Sequence, residues 1–162
     1  MTTLYVLSAV PGSGKSTWAK RFKEAHPNTM IVSSDGLRKE FFGKIDDFRD
    51  EPFIWRKYLE RLNEYQQLND DITVIADATN LQNRYRIIYA KETPKFDKHV
   101  LVLFNVPYDI CIARNKHRNP QKRVPDDAMK SLIEEYQPLS DEARACYDEI
   151  IEVTPENNLN GI

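Results

Sequence analysis

The chain has 162 residues, of which 41% are hydrophobic and 30% charged, as in one ordinary globular domain with a single core. Its 25 acidic and 23 basic residues leave a net charge of −2, which argues against binding of duplex DNA by bulk electrostatics but allows a local basic patch. Cys111 and Cys146 form no CxxC pair, and no apolar run reaches the roughly twenty residues of a membrane span. We therefore expect a soluble cytoplasmic protein with no disulfide framework, metal cluster or membrane contact.

Short apolar runs alternate with amphipathic segments along the whole chain, which we treat as one domain, residues 1–162. The apolar runs predict strands at residues 4–7, 30–32, 72–76, 100–104 and 150–153. The amphipathic segments predict helices at about residues 16–25, 53–68, 84–91, 107–117 and 126–137. Continuous apolar strands separated by helices favour an α/β fold with a parallel sheet covered on both faces. In such sheets ligands bind at the carboxyl ends of the strands.

The first predicted strand runs into the sequence SAVPGSGKST, residues 8–17, and a helix follows. This order is the context of a Walker A loop, whose glycines let successive backbone N–H groups point at phosphate. We expect this loop to bind ATP through six residues: Gly12, Ser13, Gly14, Lys15, Ser16 and Thr17. Lys15 would bridge the β- and γ-phosphates, and the Ser16 hydroxyl would ligate Mg²⁺. Ala9 replaces the leading glycine of the motif, and the alternative is a Gly-rich turn before a helix.

Asp35 follows the second predicted strand, where a side chain faces the cleft, and Arg38 lies three residues further on. If a helix starts here, the two share one face. The carboxylate could accept the proton of an attacking hydroxyl while the guanidinium holds an anion of the substrate. The alternative is that Asp35 only caps the helix and Arg38 is solvated.

Asp77 ends the third predicted strand and begins the sequence DATN. An apolar strand ending in aspartate is typical of a Walker B carboxylate, which holds Mg²⁺ through water, but Asp77 could equally cap the next helix. Arg86, six residues past Asn80, could reach the same site or be an ordinary surface charge.

The dense basic cluster of the chain follows the fourth predicted strand. Arg114 and Arg118 have helical spacing, and Lys116, His117, Lys122 and Arg123 lie around them. Two such arginines fit a lid, about residues 114–126, that closes over the triphosphate and stabilises charge in the transition state. A solvated basic helix is the alternative.

Taken together, the segments PGSGKSTWA, SSDGLR, DATN and ARNKHR, followed by Val124-Pro125, resemble the kinase module of the 5′-polynucleotide kinase family in order and spacing. The resemblance implies an adenylate-kinase-like P-loop fold with strand order 2-3-1-4-5. It implies Asp35 as general base, Arg38 on the acceptor phosphate, and Arg114 and Arg118 on the phosphates of ATP. It also implies that Thr79, Arg86 and Val124 contact the acceptor.

Two features depart from that family. Ser34 stands where the phage enzymes carry a basic residue, and residues 44–51 are acidic on balance. Three functions therefore stay open: a kinase of polynucleotide 5′-hydroxyl ends, a small-molecule kinase on the same scaffold, and a switch that hydrolyses ATP slowly. Asp35 and the two lid arginines favour the kinases, because a switch needs a positioned water and not a base facing an acceptor.

Overall fold

The computed structural model describes all 162 residues as a five-stranded sheet with helices on both faces. The strands are β1 (Thr3–Ser8), β2 (Thr29–Ser33), β3 (Thr73–Asp77), β4 (Lys98–Phe104) and β5 (Glu149–Val153). The helices are α1 (Lys15–Ala25), α2 (Ser34–Phe42), α3 (Glu51–Gln66), α4 (Asn83–Lys91), α5 (Tyr108–Lys116), α6 (Asp126–Glu135) and α7 (Asp141–Ala145). None of these helices combines the length and the apolar character of a membrane span.

All strands are parallel and their order is β2-β3-β1-β4-β5, which confirms the predicted order 2-3-1-4-5. The last residue of β2, Ser33, pairs in register with Asp77 at the end of β3. The segments that follow β1, β2 and β3 therefore leave the sheet at one edge. This edge carries the Walker A sequence and the two candidate carboxylates.

Apolar packing on both faces explains the continuous apolar strands. On one face, Leu4 and Val6 of β1 pack with Ile54, Tyr58 and other residues of a sixteen-residue cluster. On the other face, Leu7 packs with Trp18 and Phe22 of α1 in a cluster of eleven. This alternation within β1 follows the two-residue period of a strand whose two faces are both buried.

Two helices were not assigned from the sequence. The sequence predicts α2 only conditionally, and this helix ends at Phe42, before Gly43, which adopts a left-handed conformation with φ +87. Helix α7 has five residues, too few to show a helical period. Helix α6 has the amphipathic character predicted for residues 126–137, since Met129 is buried and Leu132, Ile133 and Tyr136 pack beside it in a third cluster.

Candidate active site

The loop between β1 and α1 forms a turn that is stabilised by contacts among its own residues. Gly12 and Gly14 have φ values of +86 and +94, which L side chains rarely adopt. The Ser13 hydroxyl donates a hydrogen bond of 2.7 Å to the carbonyl of Val10, so this side chain supports the loop. Gly14 precedes α1 without a side-chain cap, and the first turn carries no acidic residue. The first amides of α1 are therefore free to bind an anion.

We expect Gly12→Ala to distort this loop. A Cβ at position 12 would lie 2.4 Å from the carbonyl oxygen of Cys111 and would impose φ +86 on alanine. The variant should lose about 1–3 kcal/mol of stability and bind ADP at least about tenfold more weakly, measured by urea unfolding and by calorimetric titration. Gly43→Ala is the matched control, since its φ is +87 but nothing lies within 4 Å of the added Cβ. Equal ADP affinity in the two variants would contradict the assignment of the loop.

The loop lysine and two arginines of the basic segment after β4 have no carboxylate partner. Lys15, Arg114 and Arg118 occur in none of the ion pairs of the molecule. The Arg114 guanidinium lies next to the loop, with Nη1 3.4 Å from the carbonyl oxygen of Gly12. Unpaired positive charges beside an amide-lined turn attract a polyanion such as a triphosphate.

Ser16 and Asp77 lie side by side, although they are far apart in the chain. The Ser16 hydroxyl donates to Asp77 Oδ2 at 3.1 Å. Asp77 does not cap α4, because that helix begins six residues later and its cap position is Gln82. A hydroxyl and a carboxylate are ligands that Mg²⁺ accepts next to substrate phosphates, so these residues fit the predicted magnesium site. No group of three or more His, Cys, Asp or Glu residues suited to a metal ion occurs in the molecule.

Asp35 lies in the first turn of α2, and its interpretation as the helix cap is wrong. The cap is Ser33, whose hydroxyl accepts from the Gly36 amide at 2.9 Å. Asp35 instead accepts from Arg38 Nη1 at 3.0 Å, so the predicted common face exists. Its side chain is half exposed, which leaves it accessible to a substrate.

Glu51 is a site residue that the sequence did not reveal. Its carboxylate accepts from Arg38 Nε at 3.1 Å and from Nη2 at 2.6 Å, a bidentate pair. The Phe48 ring lies 4.6 Å from the same guanidinium and is itself exposed. Arg38 is therefore a buried, oriented group and not a solvated charge.

Arg86 does not fit the prediction that it contacts the acceptor. Its side chain is fully buried and donates to protein oxygens on several segments. Burial lowers the pKa of its guanidinium. A side chain that is 0% exposed cannot reach a substrate, so the predicted acceptor contact of Arg86 is wrong.

The basic segment after α5 is a folded loop. The buried side chain of Asn115 donates to the carbonyl of Val124 at 2.7 Å and accepts from its amide at 2.9 Å, and so closes the loop between them. Arg118 lies beyond the end of α5 at Lys116, so the predicted shared helical face with Arg114 does not form. The lid function of this loop and an acceptor contact by Val124 stay predictions.

Thr79 lies in the loop after β3, half-buried beside the Walker A loop. Its carbonyl accepts from the Ala9 amide at 2.8 Å. The predicted contact of Thr79 with an acceptor stays a prediction.

A cleft of about 200 Å³ opens beside the Walker A loop. Thr17 and Arg114 line it together with residues from the segment after β5, namely Thr154, Pro155 and Asn158. The sequence did not indicate these last residues, because they carry no motif and reach the loop only through the position of β5 in the sheet.

Comparison with known proteins agrees with this architecture. Residues 4–139 match a family model described as AAA domain. The L-seryl-tRNA(Sec) kinase of Methanococcus maripaludis is 26% identical over 147 residues, covering 82% of this chain and 52% of the relative. The chain thus spans about half the length of that curated relative.

Solved structures share the fold at low sequence identity. Kti12 of Chaetomium thermophilum, in complex with ADP-AlF3, superposes with a TM-score of 0.72 at 13% identity, covering 94% of this chain and 89% of that one. A chain of the Pnkp1/Rnl/Hen1 RNA repair complex gives 0.70 at 22% identity, covering 91% and 46%. Kinases of small molecules share the fold as well. Because the family model matches residues 4–139, most of the chain, this protein belongs to the AAA domain family and has the fold of P-loop kinases.

Proposed function

We propose that this protein is an ATP-dependent kinase whose acceptor is the 5′-hydroxyl of a polynucleotide. The observation that carries the kinase assignment is the pairing of Asp35 with Arg38 at 3.0 Å, after β2, on the sheet edge that also carries the Walker A loop. A hydrolase that used only water would need no arginine beside the base. A base and an anion-binding group together suit an acceptor that carries both a hydroxyl and a phosphate.

In this mechanism Asp35 accepts the proton of the acceptor hydroxyl as its oxygen attacks the γ-phosphorus of ATP. The bond from the γ-phosphorus to the bridging oxygen breaks, and ADP leaves with the charge on its β-phosphate. Lys15 and Arg114, both without carboxylate partners, would stabilise the charge on the transferring group. Mg²⁺, held by Ser16 and Asp77, would neutralise phosphate charge when bound.

Glu51 supports this role of Arg38. A guanidinium has five N–H groups, and the protein uses three of them, one toward Asp35 and two toward Glu51. The other two remain for an acceptor phosphate, in an orientation that Glu51 sets. Two-point fixation reduces the entropy lost when the arginine binds an anion.

The nucleoside of ATP would occupy the cleft between the Walker A loop and residues 154–158. Arg114 lines this cleft and also approaches Gly12. It could therefore contact the base as well as the phosphates of ATP, and the contact with the phosphates is the one that the lid hypothesis requires.

Nucleic acid as acceptor is supported by the relatives that are named for RNA or tRNA and by Phe48. This ring is exposed beside Arg38 and could stack on a nucleobase. A small-molecule acceptor is the second candidate. It is favoured by the carboxylates near Arg38, since Asp46, Asp47, Asp50 and Glu51 lie on the neighbouring segment and repel an extended polyanion.

Incubation with γ-labelled ATP and parallel acceptors tests the proposal. The acceptors are 5′-hydroxyl DNA, 5′-hydroxyl RNA, nucleoside 3′-phosphates and a panel of metabolites. We expect label on the 5′-hydroxyl ends. Label on a metabolite alone would show that the proposed acceptor is wrong and would leave the kinase assignment intact. Slow release of phosphate with every acceptor would favour the ATP-hydrolysing switch.

The two arginines should affect different steps. Arg38→Ala should slow transfer to a polynucleotide end about tenfold to more than a hundredfold, because one charge-assisted contact is worth about 1.5–3 kcal/mol, while ADP binding stays unchanged. Arg118→Ala should slow transfer to every acceptor, since its proposed partner is ATP. Initial rates with 5′-hydroxyl RNA and with a bare nucleoside measure both effects.

Arg49→Ala is the control for Arg38→Ala, because Arg49 is a nearby arginine whose hydrogen bonds go only to Asp47. It should behave like the wild type. A defect of equal size in Arg38→Ala and Arg49→Ala would count against a specific contact between Arg38 and the acceptor.

A further inference from the structure

The Arg86 side chain binds three separate segments of the chain, at Ser8, at residues 80–83 and at Gln137, through five hydrogen bonds. Nε donates to the Ser8 hydroxyl and the Asn80 carbonyl, both at 3.2 Å. Nη1 donates to Asn83 Oδ1 at 2.9 Å and to the Gln137 carbonyl at 2.8 Å, and Nη2 donates to the Leu81 carbonyl at 3.2 Å. None of these acceptors is a carboxylate. A buried guanidinium without a counter-ion is costly, so packing alone does not account for it.

Two of these segments belong to the active site and are bonded to each other. Ser8 ends β1 and leads into the Walker A loop, while residues 78–81 form the loop after β3, where Thr79 is the proposed acceptor contact. The Ser8 hydroxyl donates to the Asn80 carbonyl at 2.8 Å, and Asn80 Nδ2 donates to the Leu7 carbonyl at 2.8 Å. Arg86 reinforces this connection between the two segments, since its Nε donates to both the Ser8 hydroxyl and the Asn80 carbonyl.

A third segment, residues 136–140, is where the chain returns from the basic loop and α6. Its Gln137 amide donates to the Leu81 carbonyl at 2.9 Å, and the Gln137 side chain accepts from the Asn83 amide at 2.9 Å. The Arg86 bond to the Gln137 carbonyl is the shortest of the five. The basic loop is closed on itself by the Asn115–Val124 pair, with Arg114 at its start close to Gly12, and α6 connects its end to the segment that Gln137 anchors.

We propose that Arg86 is a positioning residue that fixes the return segment 136–140 to the unit formed by the Walker A loop and the acceptor loop 78–81. Through α6, this attachment would also hold the basic loop with Arg118 in the position that the lid hypothesis requires. This inference rests on the proposed kinase function. Lysine cannot replace the arginine fully, because its single ammonium has three donors at one point and cannot span acceptors on opposite sides.

The test compares Arg86→Lys with Tyr147→Phe. The Tyr147 hydroxyl donates to the backbone carbonyl of Arg86 at 2.6 Å, so its loss destabilises the same helix without touching the guanidinium contacts. At a temperature where both variants are folded, we expect Arg86→Lys to lower kcat by about 10–100-fold, as a small misplacement of catalytic groups does, with ADP affinity unchanged. Tyr147→Phe should lower Tm and leave kcat at the wild-type value. Equal kcat losses in the two variants would overturn the proposal and leave Arg86 a purely stabilising residue.

Hydrogen exchange without nucleotide gives a readout that does not depend on transfer. Amides of residues 79–83 and 136–140 should exchange faster in Arg86→Lys than in Tyr147→Phe, while exchange in β4 stays alike. If the amides of these two segments exchange at equal rates in the two variants, the proposal is also overturned. A wild-type protein that transfers phosphate to no acceptor refutes the proposed function, and the exchange result then decides the role of Arg86 alone.

Discussion

Replacing Lys15 with alanine is expected to abolish phosphoryl transfer while the protein stays folded. The Lys15 ammonium makes no hydrogen bond and no ion pair within the protein, so its removal leaves no partner unsatisfied. Loss of one neutral hydrogen-bond donor at a site of developing charge lowers the rate about 10²–10³-fold. Loss of the full positive charge of Lys15 beside the γ-phosphate should lower it at least as much. Transfer of γ-label from ATP measures the loss of activity, and thermal unfolding shows whether the variant stays folded.

Lys20→Ala is the matched control for Lys15→Ala. Lys20 lies on the same helix, is exposed, and also has no partner, but it lies more than one helical turn beyond Lys15. Both variants should unfold near the wild-type temperature, and only Lys15→Ala should be inactive. Wild-type turnover by Lys15→Ala would show that the loop does not bind the transferring phosphate.

Asp35→Asn is expected to bind ATP like the wild type and to transfer phosphate about 10²–10⁴-fold more slowly, since an amide cannot accept the proton of the acceptor. Stability should change little. Ser33 caps α2, the Asp35 side chain is half exposed, and the amide oxygen can still accept from Arg38. Single-turnover rates with saturating ATP separate this loss from a loss of binding.

Asp46→Asn removes a nearby exposed carboxylate that makes no hydrogen bond through its side chain, and serves as the control for charge alone. At a saturating acceptor concentration it should keep the wild-type rate, because repulsion of a polyanion by Asp46 affects acceptor binding and not proton transfer. If Asp35→Asn also kept that rate, Asp35 would not be the general base, and its contact with Arg38 would be only structural.

The Walker A loop could be predicted because its chemistry depends on neighbouring residues. Consecutive amides, two glycines with φ near +90 and a lysine at the helix start act within one short segment. The pairing of Asp35 with Arg38 was predictable for the same reason, because three residues of a helix bring them to one face. The strands followed from apolar runs, since both faces of this sheet are buried.

The partners of these residues come from distant segments, and no local sequence pattern marks them as site residues. Glu51 reaches Arg38 from the start of the next helix, and Thr154 and Pro155 reach the Walker A loop from the far end of the chain. Arg118 was placed on a helix by its spacing, yet α5 ends before it. Periodicity describes residues within an element and cannot tell where an element ends to within two residues.

Arg86 is an example of a residue whose role depends on the tertiary structure and is not determined by the sequence alone. The sequence determined the element order, the phosphate-binding loop and the charged residues after each strand, because these depend on local spacing and on apolar runs. It could not decide whether Arg86 faces solvent, substrate or the interior. That outcome depends on Ser8, Leu81 and Gln137, which lie up to 78 residues away from it along the chain, supplying oxygens at hydrogen-bonding distance. Burial of a charge is tolerated only where such acceptors surround it, and their arrangement exists only in the folded chain.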